Sequence, residues 1–411
     1  MAVFTNISIF SGLFISLFFE VFILITYFER KHLIKTESAK EPTYFPSTTI
    51  IVPCFNEEKT VAQTIESLLA LDYPKDKFHI IAVDDGSSDK TLEVLSQYKN
   101  NPSVSVHSKR NGGKFTALNL GLSLTKSELV GCLDADSFVD SQALKRVVSY
   151  FDDKNTMAVT PSVVVYQPKN IIELIQKVEY TWGELLRKTM SFIGAVYVTP
   201  GPFSIFRSEV FKKLGGYKHA HHTEDFEIAL RMHQSKFKIV NAHDALVYTK
   251  APKTVRALIK QRTRWSYGFL NNMIDYKHML FKKEYGHVSV YILPMAIISI
   301  FSSLFFFFTF LLSVGNKISE ITNHILTVGI SAPALNSFGW MMLNINSKNF
   351  LVMCALALSI LLIFISRQLS EKSFKFSPDI VYFLLIYGFI VPFWLMKALY
   401  NTALGKSITW R

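Results

Sequence analysis

"FHIIAVDDGSSDKT", residues 78 to 91, decides the fold class of this chain. Its first six residues are almost continuously apolar, which is typical of a strand buried on both faces of a parallel sheet. The strand ends on two acids and a Gly-Ser turn, and the following residues, KTLEVLSQY (90 to 98), have helical spacing. A buried strand that turns directly into a helix predicts one unit of an α/β domain.

Neighbouring stretches repeat this unit on both sides. Three more runs predict buried strands: STTIIVPCFN (47–56), VSVHSK (104–109) and ELVGCLDADS (128–137). Helical patterns over 57–70 and 112–125 separate them, so we predict an open, mostly parallel sheet with helices on both faces. Ligands of such sheets bind beyond the carboxyl ends of the strands. Those ends carry one polar set: Asn56, Glu57, Asp84, Asp85, Asp134 and Asp136.

Two acidic motifs at these strand ends have both a structural and a functional explanation. DDGSSD (84–89) is a turn that caps the next helix, or a ligand site. Asp134 and Asp136 lie two residues apart, so their carboxylates point to the same side of the strand. Mg²⁺ or Mn²⁺ takes oxygen ligands, commonly one or two carboxylates plus substrate phosphates. The pair therefore predicts a cation site, with a solvated loop as the alternative.

HTEDFEIAL (222–230) predicts a helix start, with Thr223 as the cap and Glu224 and Asp225 favoured by the helix dipole. The functional alternative is a carboxylate that takes a proton from an attacking hydroxyl. The histidines beside it predict a polar loop rather than a zinc site: His219, His221 and His222. Gly201 and Pro202 form a turn inside an apolar stretch, where the backbone can approach a ligand closely.

QRTRW (261–265) precedes a hydrophobic region and also allows two interpretations. It belongs to a basic, aromatic stretch, 252–287, that fits amphipathic helices on anionic lipid. Alternatively, it binds a charged, sugar-bearing ligand at the mouth of a membrane passage. Both interpretations can hold for neighbouring residues.

Four apolar blocks, 4–27, 288–314, 349–366 and 379–396, approach the length of about 20 residues that crosses a bilayer. A fifth stretch, 321–345, contains glycines and a proline, and it either spans, re-enters or lies on the surface. The first block has no preceding basic residue and no evident cleavage site, which predicts a retained anchor. Glu20 inside it faces protein or a polar passage, or else lies shallow near an interface.

Basic residues after the first block predict that it leaves the membrane on the cytosolic side. This orientation places 29–251 in the cytosol as the α/β domain and leaves 288–411 as a region of three or four spans. Basic residues in the tail favour a cytosolic end and therefore an odd number of spans, with 321–345 as the fifth. Arg367, Lys372 and Lys375 argue against this fifth span.

The net charge of +12 predicts an anionic partner. The sequence has no nucleic-acid motif, so lipid and nucleotide-sugars are the expected partners. The three cysteines, Cys54, Cys132 and Cys354, are dispersed and have neither metal nor disulfide spacing.

The order of these motifs resembles the signature D, DxD, TED, QxxRW of the membrane-embedded processive glycosyltransferases of family 2. Cellulose, hyaluronan and poly-N-acetylglucosamine synthases belong to that family. GKSITW (405–410) is similar to a basic-aromatic ending found in bacterial relatives. The resemblance implies a GT-A glycosyltransferase domain followed by transmembrane helices, and a Mg²⁺ or Mn²⁺ cofactor.

The resemblance also implies residue roles. Asp225 would be the catalytic base, and Asp136 would hold the metal. Residues on the donor side would bind the nucleotide-sugar: Asp84, Asp85, Lys114, Asp134, Gln261 and Arg264. Residues on the acceptor side would contact the growing chain: Trp265, Glu224, Gly201 and Pro202.

The function implied is transfer of a sugar, with inversion, from a UDP-sugar to a β-linked polysaccharide that passes through the membrane helices. N-acetylglucosamine is the expected sugar, the plasma membrane is the expected location, and an accessory membrane subunit is a further candidate partner. A single sugar transferred to a lipid is the main alternative. An inactive scaffold or channel is a remote alternative, against which the intact acidic motifs argue.

Overall fold

The structure, a computed structural model, describes residues 2–38, 41–329 and 347–406. Most of the weak segment 321–345 and of the ending 405–410 lies outside these residues. Within them the chain forms eight strands: β1 (Thr48–Cys54), β2 (Phe78–Asp84), β3 (Val104–Ser108), β4 (Leu129–Cys132), β5 (Ser137–Val139), β6 (Thr156–Val165), β7 (Ile205–Arg207) and β8 (Lys238–Thr249).

The helices of the α/β domain surround this sheet. They are α2 (Val61–Leu69), α3 (Thr91–Ser96), α4 (Lys114–Leu124), α5 (Ala143–Ser149), α6 (Ile171–Phe192), α7 (Ser208–Leu214), α8 (Glu224–Gln234) and α9 (Val255–Asp275). The remaining helices are predominantly apolar: α1 (Ala2–Ser38), α10 (Leu293–Val328), α11 (Ser347–Glu371), α12 (Pro378–Tyr382) and α13 (Gly388–Ala403).

The strands form one sheet in the order β3-β2-β1-β4-β7-β6-β8-β5. The first four strands of this order pair in parallel, and β6 pairs in parallel with β8. The short strands β5 and β7 pair antiparallel with their neighbours. The predicted strand-helix alternation and the mostly parallel sheet are confirmed, and the antiparallel insertions are an addition that the sequence pattern did not indicate.

Both faces of the sheet are covered, as the continuous apolar strands predict. Ile50 and Val52 belong to the hydrophobic core on one face, and Ile51 belongs to the core on the other. Alternate residues of β2 divide in the same way, because successive side chains of a strand point to opposite faces. The carboxyl ends of β1, β2 and β4 therefore remain the open edge of the sheet.

A third apolar cluster lies where the domain meets the hydrophobic helices. It includes Ile23 of α1, Leu185 of α6, Phe226 of α8, Met273 of α9 and Leu362 of α11. Because Phe226 follows the TED motif directly, the helix that carries Asp225 is packed against the hydrophobic helices.

Four helical segments of the described residues are long and apolar enough to cross a membrane: Ser8–Ile34, Val288–Thr327, Ser347–Glu371 and Pro378–Ala403. The last segment joins α12 to α13 through a π-helical stretch, Phe383–Tyr387. Glu20 is 7% exposed and accepts a hydrogen bond from the Ser359 hydroxyl at 2.5 Å. Of the two alternatives for Glu20, this contact with α11 supports the one in which the side chain faces protein.

Candidate active site

The edge formed by β1, β2 and β4 gathers the acidic motifs. Asp84 ends β2, and both Asp84 and Asp85 are 2% exposed. The Asp84 carboxylate accepts hydrogen bonds from the Ser108 hydroxyl at 3.0 Å and the Ser87 N–H at 3.2 Å. Asp84 therefore joins the ends of β2 and β3 and shapes the turn that presents Asp85.

Asp85 is held by donors from the loop before α4. Its carboxylate accepts from the N–H groups of Gly112 and Gly113 at 3.1 and 2.8 Å. The Lys109 ammonium lies 2.6 Å from it. No sequence motif marks Lys109, although it directly follows β3, and ligands of such sheets bind beyond the carboxyl ends of the strands. The Lys109 charge thus balances the charge of the buried Asp85 carboxylate.

A three-membered ion cluster lies beside the end of β4. Lys114, the first residue of α4, contacts the Asp134 carboxylate at 2.6 Å and the Glu224 carboxylate at 3.0 Å. Burial alone would lower the pKa of Lys114, but the two carboxylates hold it well above its usual value. Lys114 thus joins the DxD motif to the TED motif, which are 90 positions apart in the sequence.

Gly201 lies directly over this cluster. A Cβ at position 201 would be 2.7 Å from Lys114 Nζ and 2.9 Å from an Asp134 carboxylate oxygen, so a larger residue there would have to displace this ion pair. The turn is fixed because the Phe203 N–H donates to the Cys132 carbonyl at 2.7 Å and the Cys132 thiol donates to the Gly201 carbonyl. Pro202 follows, half-buried, on the same turn.

Asp134 is paired with Lys114, whereas within the described residues no lysine is paired with Asp136. Burial, followed by the negative charges of Asp134 and Glu57, raises the pKa of Asp136 to about 6. A divalent cation would relieve this repulsion, and carboxylate oxygens are the ligands that Mg²⁺ and Mn²⁺ prefer. Among the described residues, no three His, Cys, Asp or Glu side chains are gathered to hold a metal unaided. The site fits a cation whose remaining ligands come from substrate phosphates and water.

Asp225 lies on the first turn of α8. One of its carboxylate oxygens accepts from the Phe226 N–H at 2.9 Å, which leaves the other available to a ligand. Burial and the neighbouring Glu224 raise the pKa of Asp225 to about 6, against the effect of Lys114. The pKa of Glu224 is lowered, because Lys114 and Arg264 outweigh its burial. Two adjacent carboxyls therefore have pKa values shifted in opposite directions.

Thr223 occupies the predicted N-cap position of α8, but its side chain makes no capping hydrogen bond, so that part of the prediction is wrong. Its hydroxyl donates to the Ala220 carbonyl at 3.1 Å and accepts from the Asn272 amide at 2.9 Å. A Cβ on Gly268 would overlap the Thr223 side chain. Gly268 and Asn272, which lie on α9 one turn apart, thus hold the TED motif against the QRTRW helix. Neither residue was predicted, and helical spacing from Arg264 is the signal that was available.

The residues that match QxxRW lie in the middle of α9: Gln261, Arg264 and Trp265. Arg264 and Trp265 follow Gln261 by three and four positions, so all three lie on one side of the helix. Arg264 donates to the His222 carbonyl at 3.2 Å, and Trp265 is 37% exposed. Thr223 is preceded by three residues that all have positive φ: Ala220, His221 and His222. The predicted polar histidine loop is therefore a tight segment held between the TED motif and α9.

Glu179 and Tyr180 of α6 also reach this region. Glu179 pairs with Arg262 at 2.7 Å. The pKa of Tyr180 is raised, mainly because the side chain is buried and in smaller part by the negative charge of Asp136, while the positive charge of Arg262 opposes the shift. No sequence motif indicated these two residues, because Glu179 is 83 positions from Arg262 and α6 carries no recognisable pattern of site residues.

Comparison with known proteins agrees with this geometry. A family described as "Glycosyltransferase like family 2" matches residues 46–268, which is more than half of the chain. The chain belongs to glycosyltransferase family 2. The matched range extends from β1 through Trp265 to Gly268 and so includes all four motifs of the candidate site.

Two curated relatives in this family are poly-beta-1,6-N-acetyl-D-glucosamine synthases, one from Staphylococcus epidermidis (strain RP62A) and one from Staphylococcus aureus (strain COL). Each is 31% identical to the chain over 272 residues, which is 64% of this chain. The aligned part spans 65% of the length of each relative, somewhat less than two thirds.

A solved structure has the same fold over almost the whole chain. It is the mannosyltransferase PcManGT from Pyrobaculum calidifontis in complex with GDP-Man and Mn²⁺, with a TM-score of 0.64 and 18% identity. The superposition covers 98% of this chain and 99% of that one. The α/β domain of this family 2 glycosyltransferase therefore has the GT-A fold.

Proposed function

We propose that the chain transfers N-acetylglucosamine from a UDP-sugar to the end of a growing β-linked polysaccharide, with inversion at the anomeric carbon. The observation that carries this proposal is the Lys114 cluster. One ammonium joins Asp134 of the donor side to Glu224, the direct neighbour of the candidate base Asp225. Donor and base motifs thus meet at one point under the open edge of the sheet.

The reaction needs one base and no protein nucleophile. The acceptor hydroxyl gives its proton to the available Asp225 oxygen as its own oxygen bonds to the anomeric carbon. The bond from that carbon to the diphosphate breaks in the same step, and UDP leaves with the electron pair. A base with a pKa of about 6 is ionised at neutral pH yet still accepts a proton readily.

The charge of the departing diphosphate falls among cationic groups of this chain. These cations are Arg264 on α9 and two lysines at the sheet edge, Lys109 and Lys114, each of which is also paired with a carboxylate. An arginine fork suits phosphate because it binds two oxygens at once. A divalent cation, when bound, would neutralise part of the same charge, and Asp136 is the residue that would hold it. The structural neighbour was solved with Mn²⁺ and GDP-Man, which supports this cofactor class.

The names of the curated relatives support the choice of sugar and product. The four apolar helical segments, together with the docking of α8 and α9 against them, support transfer at a membrane surface. We place the catalytic domain on the cytosolic side, where UDP-sugars are made and where basic residues follow the first apolar helix. The growing chain would leave from Trp265 through the membrane helices.

The test uses membranes that contain the expressed protein, with Mg²⁺ or Mn²⁺. Labelled UDP-N-acetylglucosamine, UDP-glucose and UDP-glucuronate are supplied singly and in pairs, and the products are sized. The proposal predicts a long polymer from UDP-N-acetylglucosamine alone. A need for two donors, or a single labelled lipid without polymer, would contradict it and assign a hyaluronan-type or a glycolipid activity instead.

A further inference from the structure

Arg262, the second residue of QRTRW, has no assigned role in the motif, yet it is one of the most buried charged groups in the region. Its side chain is 4% exposed. A buried charge is strongly unfavourable unless it is paired and hydrogen-bonded. The contacts of Arg262 should therefore indicate what this charge does.

On one side, Arg262 is held by two other elements. Its Nη2 lies 2.7 Å from Glu179 Oε2 of α6. The Tyr387 side chain lies close enough to both Glu179 and Arg262 to interact with them electrostatically. Tyr387 belongs to the last apolar segment, Pro378–Ala403. One guanidinium thus joins α9, α6 and a candidate membrane helix.

On its other side, Arg262 contacts two of the motif residues. Its Nη1 donates to Gln261 Oε1 at 2.8 Å. Its Cζ lies 4.1 Å from the centroid of the Trp265 ring, well within the distance of a cation–π interaction. The indole is nevertheless 37% exposed, so the guanidinium restrains the ring without covering it.

We propose that Arg262 is a positioning residue for the sugar acceptor. It fixes the Trp265 indole and the Gln261 amide so that the terminal sugar ring of the acceptor packs on the exposed surface of the indole. Glu179 and Tyr387 hold Arg262, so the acceptor platform is in place only while the last apolar segment is docked. This inference rests on the proposed function and deepens it, because it names how the acceptor is oriented.

The donor site should be independent of this arrangement. Asp85 and the Lys114 cluster lie at the ends of β2, β4, α4 and α8, and within the described residues Arg262 forms no ion pair with them. Its one contact with a donor-side residue is the hydrogen bond to the Gln261 amide, and Gln261 stays on α9 without it. Loss of the guanidinium frees the indole to rotate, and a misplacement of about 1 Å can lower a rate about 100-fold. The effect should therefore fall on the acceptor and on the rate, with donor affinity unchanged.

Arg262→Met tests the proposal, with Arg256→Met as the matched control. Arg256 lies on the same helix but is exposed. Initial rates are measured against UDP-N-acetylglucosamine and against a short β-linked N-acetylglucosamine oligomer. We expect Arg262→Met to lower kcat/KM for the oligomer about 10- to 100-fold and to shorten the polymer, with donor KM within about twofold of the wild type. Arg256→Met should match the wild type.

Equal oligomer kinetics in Arg262→Met and Arg256→Met would overturn the proposal, as would a donor KM that rises as much as the oligomer KM. Glu179→Gln and Tyr387→Phe preserve side-chain volume and cover the case in which Arg262→Met does not fold. Each should weaken oligomer use in the same direction, and Glu179→Gln combined with Arg262→Met should be no worse than Arg262→Met alone. Unchanged oligomer use in both milder variants would also overturn the proposal.

The wild-type reaction separates this inference from the proposed function. If the wild-type protein transfers no sugar, the proposed function fails and the positioning role fails with it. If the wild type transfers sugar and Arg262→Met behaves like Arg256→Met, only the positioning role fails.

Discussion

At the scale of single residues, charge alternates through the candidate site. Asp134, Lys114 and Glu224 form a chain of opposite charges, and Asp225 follows Glu224 directly. In the proposed reaction this arrangement keeps Glu224 ionised and would leave the proton-accepting role to Asp225, since the pKa of Glu224 is lowered and the pKa of Asp225 is raised to about 6. Groups whose pKa values are driven apart in this way are typical of acid–base sites.

The raised pKa of Asp225 predicts how the transferase activity depends on pH. Only the ionised carboxylate accepts a proton, so the rate should be constant above the pKa and fall about tenfold per pH unit below about pH 6. The measurement is kcat/KM between pH 5 and 8 at saturating Mg²⁺. Saturation matters because Asp136 also has a pKa of about 6 and a bound cation would lower it.

A matched series at low and high Mg²⁺ separates the two carboxyls. An acidic limb that persists at saturating Mg²⁺ belongs to Asp225, whereas a limb that moves with Mg²⁺ concentration belongs to Asp136. A rate that stays constant down to pH 5 at saturating Mg²⁺ would contradict the assignment of Asp225 as the base.

At the scale of elements, two close approaches of the backbone assemble the site. The turn at Gly201 lies against the Lys114–Asp134 pair, and Gly268 of α9 lies against Thr223. In both places a methyl group would occupy space that a site residue already fills. Each approach brings together motifs that are far apart in the sequence.

Gly201→Ala should separate Lys114 from Asp134, because the new Cβ would lie 2.7 Å from the Lys114 ammonium. We expect sugar transfer to fall at least about tenfold, since small displacements in a catalytic site have large effects on rate. Gly183→Ala on α6 is the control, because its Cβ would meet only Arg187 Nη1, at 3.6 Å. Transfer rates and thermal unfolding are measured for both variants. Normal activity in Gly201→Ala would mean that the turn does not border the donor site.

Gly268→Ala tests the second approach. The new Cβ overlaps the Thr223 hydroxyl, so α9 must move away from the TED motif. Transfer should fall because Arg264 and Trp265 move together with α9. Gly388→Ala serves as the control, since its Cβ meets nothing within 4 Å. The account would be wrong at this point if both alanine variants kept wild-type rates and the same unfolding temperature.

The elements that could be predicted from the sequence are those whose apolar residues form a regular pattern. The apolar runs of β1, β2 and β4 indicated a sheet buried on both faces, and their polar ends indicated where the site lies. The short antiparallel strands β5 and β7 carry too few residues to show a period. Thr223 was expected to cap α8 because local spacing indicates caps, but a distant partner, Asn272, uses its hydroxyl instead. Glu179 and Arg262 meet only through tertiary packing, which no local pattern encodes.

At the scale of the whole molecule, charged residues fasten the apolar helices to the catalytic domain. Arg367 of α11 contacts Glu371 and Asp379 at 3.2 and 3.4 Å. Lys177 of α6 contacts the same two carboxylates at 3.1 and 3.8 Å. Because α6 also carries Glu179, this network and the Arg262 cluster fix α6 through two residues of the same turn, between the domain and the apolar helices.

Asp379→Ala should loosen this connection. Arg367 is 5% exposed and Asp379 is 3% exposed, and removing one partner of a buried ion pair costs about 3–5 kcal/mol. Glu371 remains as a partner for Arg367, so we expect the lower part of this range. The measurement is thermal unfolding in detergent, with Glu320→Ala as the control because its ion pair with Lys317 is exposed. Equal unfolding temperatures for the two variants would contradict a connecting role for the network.

The central claim is that Asp225 serves as the base of a UDP-sugar transferase, and the release of UDP by Asp225→Asn tests it most directly. Wild type, Asp225→Asn and the exposed control Asp76→Asn are compared with UDP-N-acetylglucosamine, Mg²⁺ and the β-linked oligomer, alongside UDP binding by calorimetry. The account predicts that Asp225→Asn binds UDP like the wild type but releases UDP about 10²–10⁴-fold more slowly, with Asp76→Asn unaffected. Release of UDP by Asp225→Asn at nearly the wild-type rate would contradict it.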